Sequence, residues 1–162
     1  MSSHIRLGTI DDYASVLSFL EPVIRAGDTY ALDNNMSCDD IIAYWFSPDK
    51  QTYVYEDKGD ILGTYYIRAN QSGGGSHVCN CGYVTAKSAR GRGIAEQMCR
   101  HSLIEAKTLG FRAMQYNCVV STNIGAIRIW KKLGFERVGT LPNAFCHPEQ
   151  GDVDAFVMYQ KL

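Results

Sequence analysis

The chain has 162 residues, 46% of them hydrophobic, with 16 Lys and Arg against 17 Asp and Glu. That length supports one domain over residues 1–162, with a core that needs neither disulfide nor metal. The balanced charge argues against a nucleic-acid partner, and no apolar run approaches the roughly 20 residues that span a bilayer.

His4 to Leu7 reads as a short extended segment. Asp11 or Asp12 opens a helix that places Tyr13, Val16, Leu17, Leu20, Val23 and Ile24 on one face. Pro22 falls inside that run as a candidate kink. Ala26 to Met36 reads as a loop. A second helix, capped by Ser37 or Asp39, runs through Phe46 and stops at Pro48. Thr52 to Glu56 and Ile61 to Ala69 are β-rich and joined by a Lys58-Gly59-Asp60 turn. Gln71 to Ser76 is a glycine-rich connection.

Ser76 to Ala86 reads as a strand, and the helix after it ends at Leu109-Gly110. Arg112 to Val120 is a strand and Asn123 to Leu133 a helix. Phe135 to Leu141 is extended, Pro142 to Gln150 a loop, and Val153 to Tyr159 the last strand. The order β-α-α-β-β-β-α-β-α-β-β predicts an α/β fold with a mixed sheet, not a doubly wound one.

The six cysteines suggest no disulfide framework at this size. Met1 to Arg6 lacks a signal-peptide pattern, which points to the cytoplasm. Cys79-x-Cys81 lacks the second pair of a zinc site and reads as buried thiols, so no metal is expected.

The segment Ser88-Ala89-Arg90-Gly91-Arg92-Gly93-Ile94-Ala95 joins a strand to a helix. First-turn amides lack carbonyl partners, and glycines let an anion approach them. A P-loop would end in Gly-Lys-Ser/Thr, but here the sequence is Gly93-Ile94-Ala95. A Rossmann fingerprint would carry a third glycine or alanine where Glu96 stands, and an acid about 20 residues on. No Asp or Glu occurs between Glu105 and Glu136.

What remains is R-x-x-G-x-A at Arg90, Gly93 and Ala95. It resembles the acyl-CoA motif of the GCN5-related N-acetyltransferase family. Asn123-Ile124-Gly125-Ala126 and Ile129-Trp130-Lys131-Lys132-Leu133-Gly134-Phe135 resemble that family's next helix. The likeness covers about Ser76 to Thr140. It implies a mostly antiparallel sheet with a splayed parallel strand pair at its centre, flanked by helices.

The resemblance also implies acetyl-CoA as cofactor. Its pyrophosphate would lie on Arg90, Gly91, Arg92, Gly93, Ile94 and Ala95, and its pantetheine along Val84 and Thr85. Asn123 would reach the pantetheine, with Ala126 leaving room, and Lys131 or Lys132 would approach the phosphates. Asn123 also reads as a helix cap. Trp130 stands where many members carry a tyrosine acid. Indole cannot protonate a thiolate, so Trp130 reads as a cleft wall.

For catalysis, Asn80 and Asn117 are candidates to orient the acceptor or donate to an oxyanion. Glu56, Asp57, His77 or a held water are candidates for the base. A narrower likeness, through His77-Val78-Cys79, Tyr116 to Asn123 and Arg128-Ile129-Trp130, is to a branch that includes fungal azetidine-2-carboxylate acetyltransferase. There Asn117 and Asn123 would hold a small imino acid, and Leu141 to Pro148 would set acceptor specificity. The reading is acetyl transfer to a small amino-acid-like amine by direct attack in a ternary complex. The alternatives are a peptide N-terminal acetyltransferase and an inactive acyl-CoA-binding module. A homodimer is a family-level expectation.

Overall fold

A computed structural model describes residues 2–162. Its strands are β1 (His4–Leu7), β2 (Lys50–Asp57), β3 (Asp60–Ala69), β4 (Val78–Thr85), β5 (Ala113–Val120), β6 (Glu136–His147) and β7 (Gly151–Lys161). Its helices are α1 (Tyr13–Ala26), α2 (Cys38–Trp45), α3 (Ile94–Thr108) and α4 (Ile124–Lys132). One seven-stranded sheet runs in the order β1-β2-β3-β4-β5-β7-β6. Every neighbouring pair is antiparallel except β4 and β5. This is the mixed α/β arrangement that the element order implied.

Local chemistry sets the helix ends. Ser37 caps α2 by accepting from the Asp40 amide at 3.1 Å. Helix α1 continues through Pro22 and stops at Gly27, whose φ of +66° suits the left-handed cap. Its entry is pinned by Arg6, which forks onto both Asp12 carboxylate oxygens at 2.9 Å each. Asp12 in turn accepts from the Thr9 amide at 2.8 Å.

Alternation divides the sheet into two faces. Tyr53, Tyr65 and Tyr83 are direct cross-strand partners on the face toward α3, with ring centroids 4.8 and 5.5 Å apart. Such pairs contribute about 0.5–1.5 kcal/mol each beyond their buried area. On the opposite face Trp45 of α2 is fully buried and donates to Thr64 at 3.0 Å, while Tyr66 meets its edge at 4.8 Å.

The far edge departs from the sequence expectation. Pro142 to Gln150 is not a loop, because β6 runs on to His147 opposite β7. An irregularity between Leu141 and Phe145 absorbs Pro142 and Asn143, the latter at φ +51°. Asp154 accepts from the Asn143 amide at 3.0 Å and holds that kink. His147 is buried. Its Nδ1 accepts from the Glu149 and Gln150 amides at 3.2 Å each and ties the turn into β7.

Candidate active site

The parallel pair β4–β5 is joined only at Val78–Ala113 and Cys79–Met114. Beyond Cys79 the two strands diverge. Two features fix the divergence. Asn80 is buried and donates its side-chain amide to the Gln115 carbonyl at 2.9 Å, taking the next backbone acceptor on β5. On the other side of β5 the ladder to β7 slips, with Asn117 and Cys118 opposite Val157 alone.

The divergence leaves backbone groups unpaired. Asn70 donates to the Val78 carbonyl and Ala86 to the Leu62 carbonyl. The even residues of β4 therefore spend their backbone groups on β3, and those of Cys81, Tyr83 and Thr85 face the gap. Tyr30, on the segment between α1 and α2, covers one of them by donating to the Tyr83 carbonyl at 2.6 Å.

A cleft of about 1400 Å³ occupies this gap and runs to the N-terminus of α3. At that end Gly91 and Gly93 adopt φ +80° and +74°, a conformation costly for residues with a Cβ. Among the described residues, the first amide to find a carbonyl partner is that of Gln97, on Gly93 at 3.1 Å. The amides from Gly91 to Glu96 have no acceptor among the described residues. A Cβ on Gly91 would meet nothing within 4 Å, so the concave side is open. Free amides, helix dipole and the Arg90 cation together make a seat for a phosphate-type anion.

The cleft is lined by most of the residues singled out from the sequence. Val84, Thr85, Arg90, Gly91, Gly93, Ile94 and Ala95 line it from β4 and the turn. Asn80 of β4 lines it at the apex, and Asn117, Asn123, Ala126 and Trp130 line it from β5 and α4. Asn123 caps α4 by accepting from the Ala126 amide at 3.5 Å. Trp130 is 8% exposed and leans on Tyr83 and Tyr116 with centroids 5.0 and 5.1 Å away. The Tyr83 hydroxyl meets those of Ser102 and Tyr116 at 2.7 and 2.9 Å. Burial holds both phenols well above their ordinary values, so they stay protonated.

Other expected residues lie elsewhere. Arg92 donates to Asp57 at 2.7 Å and Lys132 to Glu96 at 2.9 Å, and neither lines the cleft. The proposed bases Glu56 and Asp57 are also engaged outside it. Glu56 accepts from Arg6 at 2.8 Å and Asp57 from Arg92. His77 does not line it, nor does any residue from Leu141 to Pro148, which belong to the edge strand and its turn. Asn117 lines the cleft with both polar atoms committed, donating to Asn70 at 2.7 Å and accepting from Gln115 at 3.0 Å.

The part of the cleft under the segment between α1 and α2 is lined by residues that the sequence did not single out. Asp28, Tyr30, Tyr44, Tyr66 and Arg68 line it. Asp28 is the sole carboxylate on the cleft wall among the described residues. The alternation Thr64-x-Tyr66-x-Arg68 was the available signal, since it sets a cation on a face otherwise turned inward.

A sheet that opens between two central parallel strands, with an anion-binding helix turn at its mouth, defines an acyl-CoA N-acyltransferase architecture. The chain belongs to the acetyltransferase (GNAT) family, whose model matches residues 21–135. It is 31% identical over 156 positions to N-acetyltransferase aca1 of Schizosaccharomyces pombe, with 86% of this chain and 75% of that protein covered. A GCN5-related N-acetyltransferase from Kribbella flavida superposes with a TM-score of 0.95 at 35% identity, covering 99% and 98% of the two chains. The acetyltransferase yncA from Salmonella typhimurium, solved with acetyl-CoA, has the same fold (TM-score 0.88, 18% identity, 100% and 95% covered).

Proposed function

We propose that this protein transfers the acetyl group of acetyl-CoA to the amine of a small amino-acid-like acceptor, by direct attack in a ternary complex. One observation carries the reading. A single cleft joins an anion seat at Gly91 to Glu96 with a polar chamber under the α1–α2 segment, through a gap lined by unpaired β4 backbone.

Bound there, acetyl-CoA supplies an activated thioester. The amides of the turn and Arg90 hold the pyrophosphate. The free groups of Cys81 and Thr85 and the Tyr83 amide would hold the pantetheine amides in the manner of an added strand. Trp130 walls the gap and excludes water. Asn80 orients the acceptor through its side-chain oxygen, and Asn117, tied to Asn70 and Gln115, shapes the facing wall. The attacking amine must be neutral. Asp28 takes its proton, directly or through water. Two cysteines line the cleft, Cys81 and Cys118, and burial pushes both thiols up, which argues against either as a nucleophile. Likeness to the branch that includes azetidine-2-carboxylate acetyltransferase supports an imino or amino acid as acceptor.

The test is thiol release from acetyl-CoA across amino acids, imino acids, polyamines and peptides. Turnover with amino or imino acids supports the reading. Turnover confined to polyamines or peptides overturns it, as does no turnover with any amine.

A further inference from the structure

Arg68 has the wrong surroundings for a structural arginine. It extends from β3 on the face beneath α2, between Lys50 on β2 and Asn80 on β4. It lines the cleft, and its guanidinium lies 5.9 Å from the Tyr66 ring centroid. Its Nε is buried and has no hydrogen-bond partner. Among the described residues no carboxylate lies within ion-pair reach of it.

The neighbouring charge does not compensate. Lys50 lies over the Tyr44 ring at 4.2 Å and the Tyr66 ring at 5.2 Å. It is itself occupied, donating to Ser47 at 2.7 Å and facing Asp49 at 3.7 Å. Two cations therefore stand side by side against one exposed carboxylate. Four other arginines pair with acids: Arg6 with Asp12 and Glu56, Arg25 with Glu21, Arg92 with Asp57 and Arg100 with Glu96. A guanidinium that lines a cleft and makes no hydrogen bond among the described residues is built to receive a planar anion on its fork.

We propose that Arg68 is the specificity residue that binds the carboxylate of the acceptor, so that the substrate is a free α-amino or α-imino acid. The position of Asn80 carries the geometry. Asn80 is the cross-strand partner of Arg68 and marks the point where β4 leaves β5. An α-amine is one carbon from its carboxylate. A carboxylate held by Arg68 therefore places the amine beside Asn80, at the apex of the gap. A polyamine offers nothing to the guanidinium. A peptide N-terminus carries an amide at that position, whose single neutral carbonyl oxygen matches neither the charge nor the fork of the guanidinium.

This inference rests on the acceptor class proposed above, and the experiment separates the two. Matched pairs of amino or imino acids and their carboxamides are compared by kcat/KM in the native enzyme, Arg68→Gln and Arg68→Lys. The native enzyme prefers the acid by about tenfold or more, the factor expected for one buried charge-assisted contact. Arg68→Gln erases the preference, mainly through KM for the acid, and Arg68→Lys restores part of it. The readout is a ratio within one enzyme, so a general loss of fold or activity cancels. Should the glutamine variant not fold, the native ratio decides alone. Amino acids turned over with no preference over their amides would overturn the Arg68 assignment and leave the acceptor class standing. Turnover of polyamines or peptides alone would overturn both.

Discussion

Asn80 on β4 donates its side-chain amide to the Gln115 carbonyl on β5 over 2.9 Å, one residue past the last parallel ladder pair. The bond ends the ladder without leaving an orphan acceptor. It sets the angle at which the cleft opens.

Asn80→Ala should therefore cost about 1–2 kcal/mol, the penalty for a buried acceptor left unmade, and should lower turnover more than cofactor binding. Chemical denaturation gives the first quantity, and kcat against acetyl-CoA affinity the second. Unchanged stability would mean the bond does not hold the opening.

Gly93 sits at φ +74°, where an added Cβ would meet only the end of the Gln97 side chain, at 4.0 Å. Gly93→Val imposes strain of about 1–3 kcal/mol and projects methyl groups where an anion would approach the amides. Acetyl-CoA should raise the Tm of the native protein and fail to raise that of the variant. An equal shift in both would remove the anion seat from the turn.

Trp130 packs on Tyr83 and Tyr116. If it is a wall, Trp130→Phe retains much of the ring contact and should keep turnover within about tenfold, since conservative hydrophobic swaps usually cost under 1.5 kcal/mol. Abolished kcat with normal acetyl-CoA binding would give the indole a direct part in the chemistry.

Asp28 is the carboxylate on the cleft wall. Asp28→Asn should lower kcat by about 100-fold, the scale of one general base, and flatten the acid limb of the pH–rate profile. A variant with native kcat would assign the amine proton directly to bulk water.

Stability should fall in two steps on acidification. Burial lowers the His101 imidazole below its ordinary 6.5, with Glu105 opposing. Its Nδ1 lies 2.6 Å from the Tyr65 hydroxyl, whose pKa is driven far up by burial, so the ring accepts that proton and is neutral when folded. The unfolded chain binds the proton first, and stability drops from about pH 6.5 to the lower folded value. Asp12 is held below its ordinary 3.8 chiefly by the Arg6 hydrogen bonds. Its contribution is complete above 3.8 and is lost as pH falls toward the folded value. His101→Gln should remove the upper step of a Tm-against-pH curve. Asp12→Asn should remove the lower one at a cost of about 1–3 kcal/mol at neutral pH.

The legible parts of this molecule are those written in short stretches of chain. The Gly91-x-Gly93 turn announces itself because the left-handed glycines, the free amides and the helix start lie within six residues. Strand β6 was cut short because Pro142 reads as a stop, whereas the paired strand accommodates it with a kink held by Asp154, a residue of the next strand. Glu56 and Asp57 looked available as bases because their partners, Arg6 and Arg92, are distant in sequence. Arg68 and Asp28 were passed over for the converse reason. Nothing near them in sequence says that α1, β3 and β4 converge on one chamber.

The open side of β4 has a consequence beyond any ligand. A strand with unpaired amides and carbonyls is a template on which another chain can assemble. Here Asn80 closes β5 at the apex, and the Tyr30 hydroxyl covers the Tyr83 carbonyl farther along. The exposed run is shortened to a few residues, recessed between walls. A flexible thread can lie down there, but a foreign β-strand finds too little edge to grip, so the protein keeps a gap in its sheet without inviting polymerisation.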